Sequence, residues 1–202
     1  MRLSRVILAA GLAGLIACLP ARAAEDPAVE AVRGLYATYE GALKEAATDV
    51  KARAGAIGGV MAKTFDFGGM VRGAVGPKWP SFTPEQQAAL TEAFGQYFTA
   101  TYANRLTQAA GGKFTVKPAS EARGADRVVL TEVANAEGDE SQVDFLVGAG
   151  NRVQDVFLNG NVSEIAAMRT AFAEPIKTGG ADGLLKFLRE RTARILAAKP
   201  AP

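Results

Sequence analysis

Residues 143–147 read Val-Asp-Phe-Leu-Val, and this stretch carries the clearest period-two hydrophobic pattern of the 202-residue chain. Such a pattern is typical of a β-strand that buries one face. The stretch belongs to a region that begins after Gly111-Gly112, where the hydrophobic period changes from 3.6 residues to 2. This region predicts strands at 113–118, 125–135, 141–148 and 152–158.

The connections between the predicted strands are short and contain glycine. Two of them are Glu137-Gly138-Asp139-Glu140 and Gly148-Ala149-Gly150-Asn151. Parallel strands need a crossover of a dozen or more residues, whereas antiparallel strands can be joined by a tight turn. We therefore expect a twisted antiparallel sheet of about four strands, arranged as a meander.

Helical patterns precede the sheet. Asp26-Pro27 has the form of an N-cap followed by proline, and an amphipathic pattern continues to about Ala47. Residues 50–63 keep the helical spacing but contain three glycines, each of which costs a helix interior up to ~1 kcal/mol relative to alanine, so a break is predicted there. Thr83-Pro84-Glu85-Gln86 has the form of a capping box and predicts a helix to about Ala110.

Two further helices are predicted after the sheet. Asn161-Val162-Ser163-Glu164 offers a cap for the first, which Pro175 and Gly179-Gly180 are expected to end. The second is expected at about 182–198. Helices, then strands, then helices is the order of an α+β fold in which helices cover a sheet. We expect one such domain over residues 24–198, followed by a disordered tail at 199–202.

Residues 1–23 have the features of a cleavable signal peptide. Arg2 and Arg5 provide a basic start, and residues 6–19 form an uncharged apolar stretch. Ala21-Arg22-Ala23 then provides a small-x-small cleavage site. The apolar stretch is shorter than the ~20 residues that a membrane-spanning helix needs. We therefore expect export beyond the cytoplasmic membrane. The alternative is a lipid anchor on Cys18, because residues 15–18 resemble the motif that precedes a lipidated cysteine.

The charge of the chain does not predict nucleic-acid binding. The full chain has a formal net charge of +2, with 23 basic and 21 acidic side chains. Loss of residues 1–23 removes three arginines and no acidic side chain, which leaves 20 basic against 21 acidic side chains and a net charge of −1. A general basic patch is therefore not expected.

Several kinds of catalytic and metal site are missing from the sequence. Histidine is absent, and Cys18 is the only cysteine. These two absences remove the usual general base, zinc sites built from His and Cys, and disulfides after cleavage of the signal peptide. No phosphate-binding Gly-Lys-Ser/Thr sequence is present. We predict no cofactor, no metal site and no enzymatic activity.

Carboxylates keep an enzymatic alternative open. Asp144 and Asp155 lie on adjacent predicted strands, and an aspartate with a tyrosine, Tyr97 or Tyr102, can transfer a proton beside a carbonyl in an enclosed site. That arrangement would suit an isomerase or lyase acting on an apolar substrate. The structural explanation is that Asp144 points to solvent and that Asp155 caps or pairs near a strand end.

Apolar stripes at 65–79, 90–106 and 165–187 are first explained as ordinary core. Periodicity cannot distinguish a filled core from the lining of a cavity. A filled core would suit a third class, a structural or assembly factor without an acyl-sized cavity.

Five stretches spread over about residues 30–195 share their order and spacing with a known family. They are Phe65-Asp66-Phe67 with Met70, Val75-Gly76 and Trp79; Thr83-Pro84-Glu85-Gln86; Tyr102-Ala103 with Leu106; Asp155-Val156 with Gly160 and Ser163; and Arg169 with Phe172, Ile176 and Gly179-Gly180. Together they resemble the periplasmic lipid-binding proteins of the MlaC type, also called the toluene-tolerance auxiliary family. The segment 160–164, with Arg169 and Phe172, is most similar to the hopanoid-associated HpnM branch.

The resemblance implies a periplasmic carrier, monomeric and without a cofactor, that encloses the apolar part of a phospholipid or hopanoid and exchanges it with membrane-bound transport components. Two chains of about 15 methylenes represent ~24 kcal/mol of transfer free energy, so the family's apolar pocket must be enclosed. The implied lipid-binding residues are Phe67, Met70, Val71, Trp79, Phe98, Tyr102, Val129, Phe145, Val147, Phe157, Met168 and Phe172. Trp79 has a second explanation, a packed turn between two prolines.

Overall fold

The computed structural model describes residues 26–45 and 49–198. This part of the chain forms five α-helices and one sheet of seven strands. The helices are α1 (Pro27–Glu45), α2 (Val50–Thr64), α3 (Phe67–Val75), α4 (Pro84–Arg105) and α5 (Glu164–Ala197). The strands are β1 (Lys113–Val116), β2 (Glu121–Arg123), β3 (Asp126–Val129), β4 (Thr131–Ala134), β5 (Glu140–Val147), β6 (Val153–Leu158) and β7 (Val162–Ser163).

The predicted signal peptide, Cys18 and the predicted tail at 199–202 lie outside the described residues. Among the helices that are described, none combines the length and the apolar character that crossing a membrane requires.

The α2 helix runs unbroken from Val50 to Thr64, so the predicted break at its glycines is wrong. Asp49 caps its first turn by accepting hydrogen bonds from the backbone N–H groups of residues 51 and 52, at 2.8 and 3.1 Å. Ile57 and Met61 are fully buried against the rest of the core. Burial of such side chains contributes about 1.5–3 kcal/mol each, which offsets the helix-propensity cost of the glycines.

A buried arginine ties α2 to the end of α4. Arg53 is 1% exposed, and its Nε donates to the carbonyl oxygen of Ala103 at 2.8 Å. Its Nη2 donates to the hydroxyl of Thr107 at 2.6 Å. At this point α4 ends at Arg105, and a short 3-10 turn, Leu106–Ala109, takes the chain towards the sheet. The helix predicted to about residue 110 therefore finishes in a tighter turn.

The predicted capping box at the start of α4 is confirmed. The Thr83 hydroxyl accepts from the backbone N–H of Gln86 at 3.3 Å, and the Gln86 side chain accepts from the backbone N–H of Thr83 at 3.1 Å. A 3-10 turn, Gly76–Ser81, connects α3 to this cap. Both partners are local in sequence, so the motif forms as the sequence predicts.

The pairing between strands is antiparallel, as their short connections predict. β3 and β4 form one run that is interrupted at Leu130, and both pair with β5. β1 and β2 pair with β4 and β3 respectively, so they form a second interrupted run beside the first. Hydrogen bonding from β5 continues to β6 and then to β7. With each interrupted run taken as one strand, the chain follows a meander.

The predicted count of about four strands is wrong, because seven are present in the described residues. The predicted strand 125–135 is divided in two, and Asp144 occupies the break by accepting the backbone N–H of Thr131 at 3.2 Å. The other two additional strands, β2 and β7, are short, and all three residues of β2 are exposed. Strands without a buried face have no hydrophobic alternation to reveal them.

The C-terminal helical segment α5 begins at its predicted cap, where the Ser163 hydroxyl accepts the backbone N–H of Ala166 at 3.0 Å. Pro175 lies inside the helix and does not end it. The helical path is interrupted instead at Gly180, whose φ of 58° and ψ of −139° are not helical. The predicted separation into two helices is therefore present, five residues beyond the proline.

The helices cover one face of the sheet. That face carries Val129, Phe145 and Val147, each at most 2% exposed, and they belong to one continuous hydrophobic core with the helices. The core includes stacked and edge-on aromatic rings, among them Phe98 on Tyr102 at 4.6 Å between ring centroids. The expected α+β architecture is confirmed.

Candidate functional site

A cavity of about 470 Å³ lies between the helices and the sheet. It is open to solvent on one side and is bounded by α1, the end of α4 with the 3-10 turn that follows it, β1, β4, β5 and β6, together with the turn at 135–139. Its lining residues are Tyr36, Tyr39, Tyr102, Arg105, Leu106, Gln108, Ala109, Phe114, Val133, Asn135, Asp139, Ser141, Gln142, Val143, Phe145, Leu158 and Asn159. We call it the tyrosine cavity, after the three tyrosines in its wall.

The inner wall of the tyrosine cavity is aromatic. Tyr36 lies at the centre of this wall, with its ring centroid 4.9 Å from that of Phe114 and 5.7 Å from that of Phe145. Tyr39 approaches Phe114 from α1 at 6.4 Å between ring centroids. Tyr102 contributes from α4 and is buried like Tyr36 and Tyr39. Large rings with few rotatable bonds form a preorganised apolar surface for a ligand.

The rim of the cavity is polar. Arg105, Gln108, Asp139 and Asn159 line it and are exposed to solvent. The Arg105 guanidinium lies 5.5 Å from the ring centroid of Tyr102. The cavity therefore changes from aromatic and buried to polar and hydrated between its inner wall and its opening. An amphipathic molecule with an apolar body and a polar end has this same order of polarity.

The three tyrosine hydroxyls of the cavity differ in their partners. The Tyr36 hydroxyl lies 2.6 Å from the hydroxyl of Thr131, and the Tyr39 hydroxyl donates to the sulfur of Met61 at 2.8 Å. The Tyr102 hydroxyl is buried and has no hydrogen-bond partner among the described residues. Burial raises the pKa of all three hydroxyls above the usual value of 10, so they stay protonated at physiological pH.

Two of the twelve sequence-predicted lipid-binding residues, Tyr102 and Phe145, line the tyrosine cavity. Seven others are buried in the core and line neither this cavity nor the groove described below: Met70, Val71, Phe98, Val129, Val147, Met168 and Phe172. Trp79 is also buried in the turn between Pro77 and Pro80, and its ring centroid lies 6.3 Å from that of Phe82, which follows this turn.

Phe157 lies on the opposite face of the sheet from Phe145, so these two sequence-predicted lipid-binding residues do not share one wall of a cavity. In the register of β5 and β6, Phe145 pairs with Val156 and Asp144 pairs with Phe157. Successive side chains on a strand point to opposite faces, which separates Phe157 from the cavity wall. Its ring is half-buried under the guanidinium of Arg123, 4.7 Å from the ring centroid.

A second cavity, of about 510 Å³, lies among the helices and is called here the helical groove. Phe67, the remaining predicted lipid-binding residue, lines it. The other lining residues are Ala54, Gly58, Ala62, Thr91, Glu92, Gly95, Gln96, Thr99, Ala100, Thr192 and Leu196. Gly95 is required beside Phe67, because a β-carbon at Gly95 would lie 2.8 Å from Cδ2 of that ring.

The carboxylates of the enzymatic alternative line neither cavity. Asp144 accepts hydrogen bonds from the backbone of Thr131 and the side chain of Gln142, and it is buried instead of pointing to solvent as the structural explanation expected. Asp155 accepts from the Ser163 hydroxyl and from the backbone N–H of Ile165, at the start of α5. Both carboxylates therefore form hydrogen bonds that stabilise the fold, Asp144 with the backbone of β4 and Asp155 with the backbone at the start of α5.

Within residues 26–45 and 49–198, no group of three or more Asp, Glu, His or Cys side chains is arranged so that it could hold a metal ion.

Sequence reasoning missed most of the residues that line the tyrosine cavity, above all Tyr36, Tyr39 and Phe114. Tyr36 and Tyr39 are on the apolar stripe of α1, but nothing in their spacing distinguishes them from core. The available signal is chemical, because a tyrosine at a buried stripe position carries a hydroxyl that needs a partner. Tyr36 and Tyr39 on α1 and Tyr102 on α4 bring three hydroxyl groups into an otherwise apolar interior.

The MlaC protein family model matches residues 32–190 of this chain. A solved structure from Ralstonia solanacearum, described as a phospholipid-binding protein in complex with a phospholipid, aligns with a TM-score of 0.70. The two sequences are 28% identical, and the alignment covers 85% of this chain and 98% of the Ralstonia chain. No curated protein matches the chain at a significant level.

Proposed function

This chain belongs to the MlaC family, and on that premise we propose that it is a non-enzymatic phospholipid carrier of the periplasm. In this proposal the monomeric protein takes up the apolar part of a phospholipid and exchanges the lipid with membrane-bound transport components. Support comes from the family match and from the phospholipid-bound Ralstonia protein, which has the same fold.

The observation that carries the proposal is the tyrosine cavity, with its aromatic inner wall and polar rim. Its volume of about 470 Å³ lies within the range of ~300–1,000 Å³ that is usual for small-molecule sites. Each methylene that leaves water contributes ~0.8 kcal/mol, so an acyl chain in the cavity is strongly stabilised. The headgroup lies at the rim beside Arg105.

The placement of the predicted carboxylates supports a carrier over an enzyme. A general base must lie within hydrogen-bond reach of the proton that it removes. Asp144 and Asp155 do not line the cavity, and their oxygen atoms accept structural hydrogen bonds. The presence of the cavity also argues against an assembly factor with a filled core.

The similarity of residues 160–164 to the HpnM branch keeps a hopanoid as the second candidate ligand. A hopanoid is a rigid fused-ring hydrocarbon, whereas an acyl chain bends to fit. Extraction of the purified protein with organic solvent, followed by mass spectrometry, identifies the lipid that it carries. A phospholipid is expected. A protein that yields no lipid and takes up no labelled phospholipid would contradict the proposal.

A matched pair of substitutions tests which cavity holds the lipid. Val143→Trp puts a large ring into the tyrosine cavity, whereas Ala62→Trp puts the same ring into the helical groove. We expect the first substitution to lower phospholipid uptake at least tenfold and the second to leave it within twofold of wild type. The opposite pattern would move the proposed site to the helical groove.

A further inference from the structure

The charged side chains at the rim of the tyrosine cavity are the starting point of this inference, which rests on the proposed function. Among the residues that line the cavity, Arg105 and Asp139 carry the charged side chains. Both are exposed to solvent, so a headgroup at the opening can reach them. The opening therefore presents one cation and one anion of the protein to the polar end of a lipid.

The charge of Arg105 is balanced within the protein, although most of its donors are not used. Its Nη1 lies 2.7 Å from Oε1 of Glu164. A guanidinium has five N–H donors, and among the described residues this is the one hydrogen bond that the Arg105 side chain donates. The remaining donors suit a phosphate. The pair of Arg105 and Glu164, however, has no net positive charge to attract an anionic headgroup.

Asp139 is held at the rim by Asn135, which also lines the cavity. Nδ2 of Asn135 donates to Oδ2 of Asp139 at 3.0 Å, and the backbone N–H of Asp139 donates to Oδ1 of Asn135 at 2.8 Å. Oδ1 of Asp139 has no hydrogen-bond partner in the described part of the chain. No basic side chain of the described residues forms an ion pair with this carboxylate. Asp139 is therefore an oriented carboxylate without a cation of its own.

The other charged residues near Asp139 do not line the cavity. Lys113 and Glu140 occupy matching register positions on the two strands that flank β4. The next residues along these strands, Phe114 and Ser141, line the cavity, and successive side chains on a strand point to opposite faces. Lys113 and Glu140 therefore point to the other face of the sheet, where their charges cancel in sum. Glu137 is exposed in the turn and adds negative charge on the same side of the opening.

The rim thus has an excess of negative charge once Arg105 and Glu164 are counted as a pair. The phosphate of a phospholipid adds one more negative charge, which Arg105 can receive through its unused donors. An ethanolamine headgroup also ends in an ammonium group, whose three donors can form charge-assisted hydrogen bonds with Asp139. A glycerol headgroup supplies no cation, so its phosphate remains opposed by the carboxylate.

We propose that Asp139 binds the terminal ammonium group of a phosphoethanolamine headgroup while Arg105 binds its phosphate. The carrier therefore selects zwitterionic aminophospholipids over anionic phospholipids that have the same acyl chains.

The test compares dihexadecanoyl phosphatidylethanolamine with dihexadecanoyl phosphatidylglycerol. Each lipid is dispersed in the same uncharged detergent and competes with a fluorescent phospholipid for the delipidated protein at low ionic strength. An exposed ion pair changes an equilibrium constant by about two- to fivefold, and wild type should prefer the ethanolamine lipid by that factor. The preference should decrease in about 1 M salt, where the Debye length is only about 3 Å.

Two substitutions of Asp139 separate its charge from its place in the turn. Asp139→Asn keeps the shape and an oxygen that can accept from Asn135, and it should abolish the preference. Asp139→Lys reverses the charge and should invert the preference in favour of the glycerol lipid. Because the side chain is exposed, both variants should melt close to the wild-type temperature. Loss of local structure alone would affect the two lipids equally and would not produce an inversion.

Glu140→Gln is the matched control, because it removes the same charge from the adjacent residue, which points to the other face of the sheet. This variant should keep the preference of wild type. A preference lost equally in Glu140→Gln would assign the selectivity to the general charge of the turn and overturn the role of Asp139.

Equal affinity of wild type for the two lipids, or a preference for the glycerol lipid, would overturn the inference and leave the carrier function standing. A preference retained in Asp139→Asn would also overturn it. Failure of the delipidated wild-type protein to take up the fluorescent phospholipid at all would contradict the proposed function itself, and the inference would fall with it.

Discussion

Nη1 of Arg105 lies 2.7 Å from Oε1 of Glu164, and this ion pair joins the end of α4 to the start of α5 beside the rim of the tyrosine cavity. The two partners are unequally exposed, since the Glu164 side chain is 5% exposed and that of Arg105 is 44% exposed. A buried charge without a partner is costly, and partial exposure of the arginine reduces that cost through solvent screening.

Arg105→Ala should therefore destabilise the protein by about 1–3 kcal/mol, because it leaves the Glu164 carboxylate buried without its cation. Urea denaturation measures the change in the free energy of unfolding. The double variant Arg105→Ala/Glu164→Gln removes both charges and should recover about 1 kcal/mol of the loss. Equal instability of the single and double variants would show that the charge of Glu164 is not the cause.

Adjacent glycines in α5 should respond in opposite directions to alanine. Gly180 has φ 58° and ψ −139°, a backbone conformation that residues other than glycine rarely adopt. Gly180→Ala should therefore lower the free energy of unfolding by about 1–3 kcal/mol. Gly179 is exposed, and nothing lies within 4 Å of the position of an added β-carbon, so Gly179→Ala should be neutral or stabilising by up to ~1 kcal/mol. Thermal unfolding of the two variants measures both effects. Similar melting temperatures would mean that Gly180 leaves this conformation at little cost.

Asp26 connects the start of α1 to the sheet and should make stability depend on pH. Its carboxylate accepts from the backbone N–H groups of Ala28 and Ser120, each at 3.1 Å, and from the Ser120 hydroxyl. The hydrogen bond from the Ser120 hydroxyl is the main cause that lowers the pKa of Asp26 below its usual value of 3.8. Partial burial of the carboxylate raises the pKa and so opposes this effect. The two hydrogen bonds from backbone N–H groups and the positive charge of Arg127 lower the pKa further. The stability that Asp26 contributes is thus complete above pH 3.8 and is lost as the pH falls through the lowered pKa.

Asp26→Asn should cost about 1 kcal/mol near pH ~7, because an amide is a weaker acceptor for these three donors. The difference from wild type should shrink when the pH is lowered through the Asp26 pKa, since the wild-type carboxyl is then protonated as well. Urea denaturation at a series of pH values measures the difference. A constant difference across that range would mean that the charge of Asp26 does not contribute.

Local features of the fold could be read from the sequence, because their partners are close in the chain. The Thr83 and Ser163 caps each use a donor three residues away. The break of the strand at Leu130 could not be read, because it depends on Asp144, thirteen residues beyond Thr131. The helix that continues through the glycines of α2 depends likewise on burial against distant elements.

The cavity is the part of the molecule that sequence patterns describe least. Phe98 and Tyr102 lie on the same stripe of α4, and their rings stack at 4.6 Å. One fills the core, whereas the other lines the tyrosine cavity. Periodicity reports that a side chain faces inward, and it contains no information about whether the space in front of that side chain is occupied.

The α+β class, the antiparallel pairing, the main helix caps and the family resemblance all follow from the amino-acid sequence. Each of them depends on hydrophobic period, on short connections or on motifs local in the chain. Only the packing of distant segments places Tyr36, Tyr39 and Phe114 in the cavity wall and Phe157 on the other face of the sheet. The same packing leaves one of the cavity's three tyrosine hydroxyls without a partner among the described residues. A cavity and an unsatisfied hydroxyl are properties of the space between elements, and that space is set by how distant segments pack.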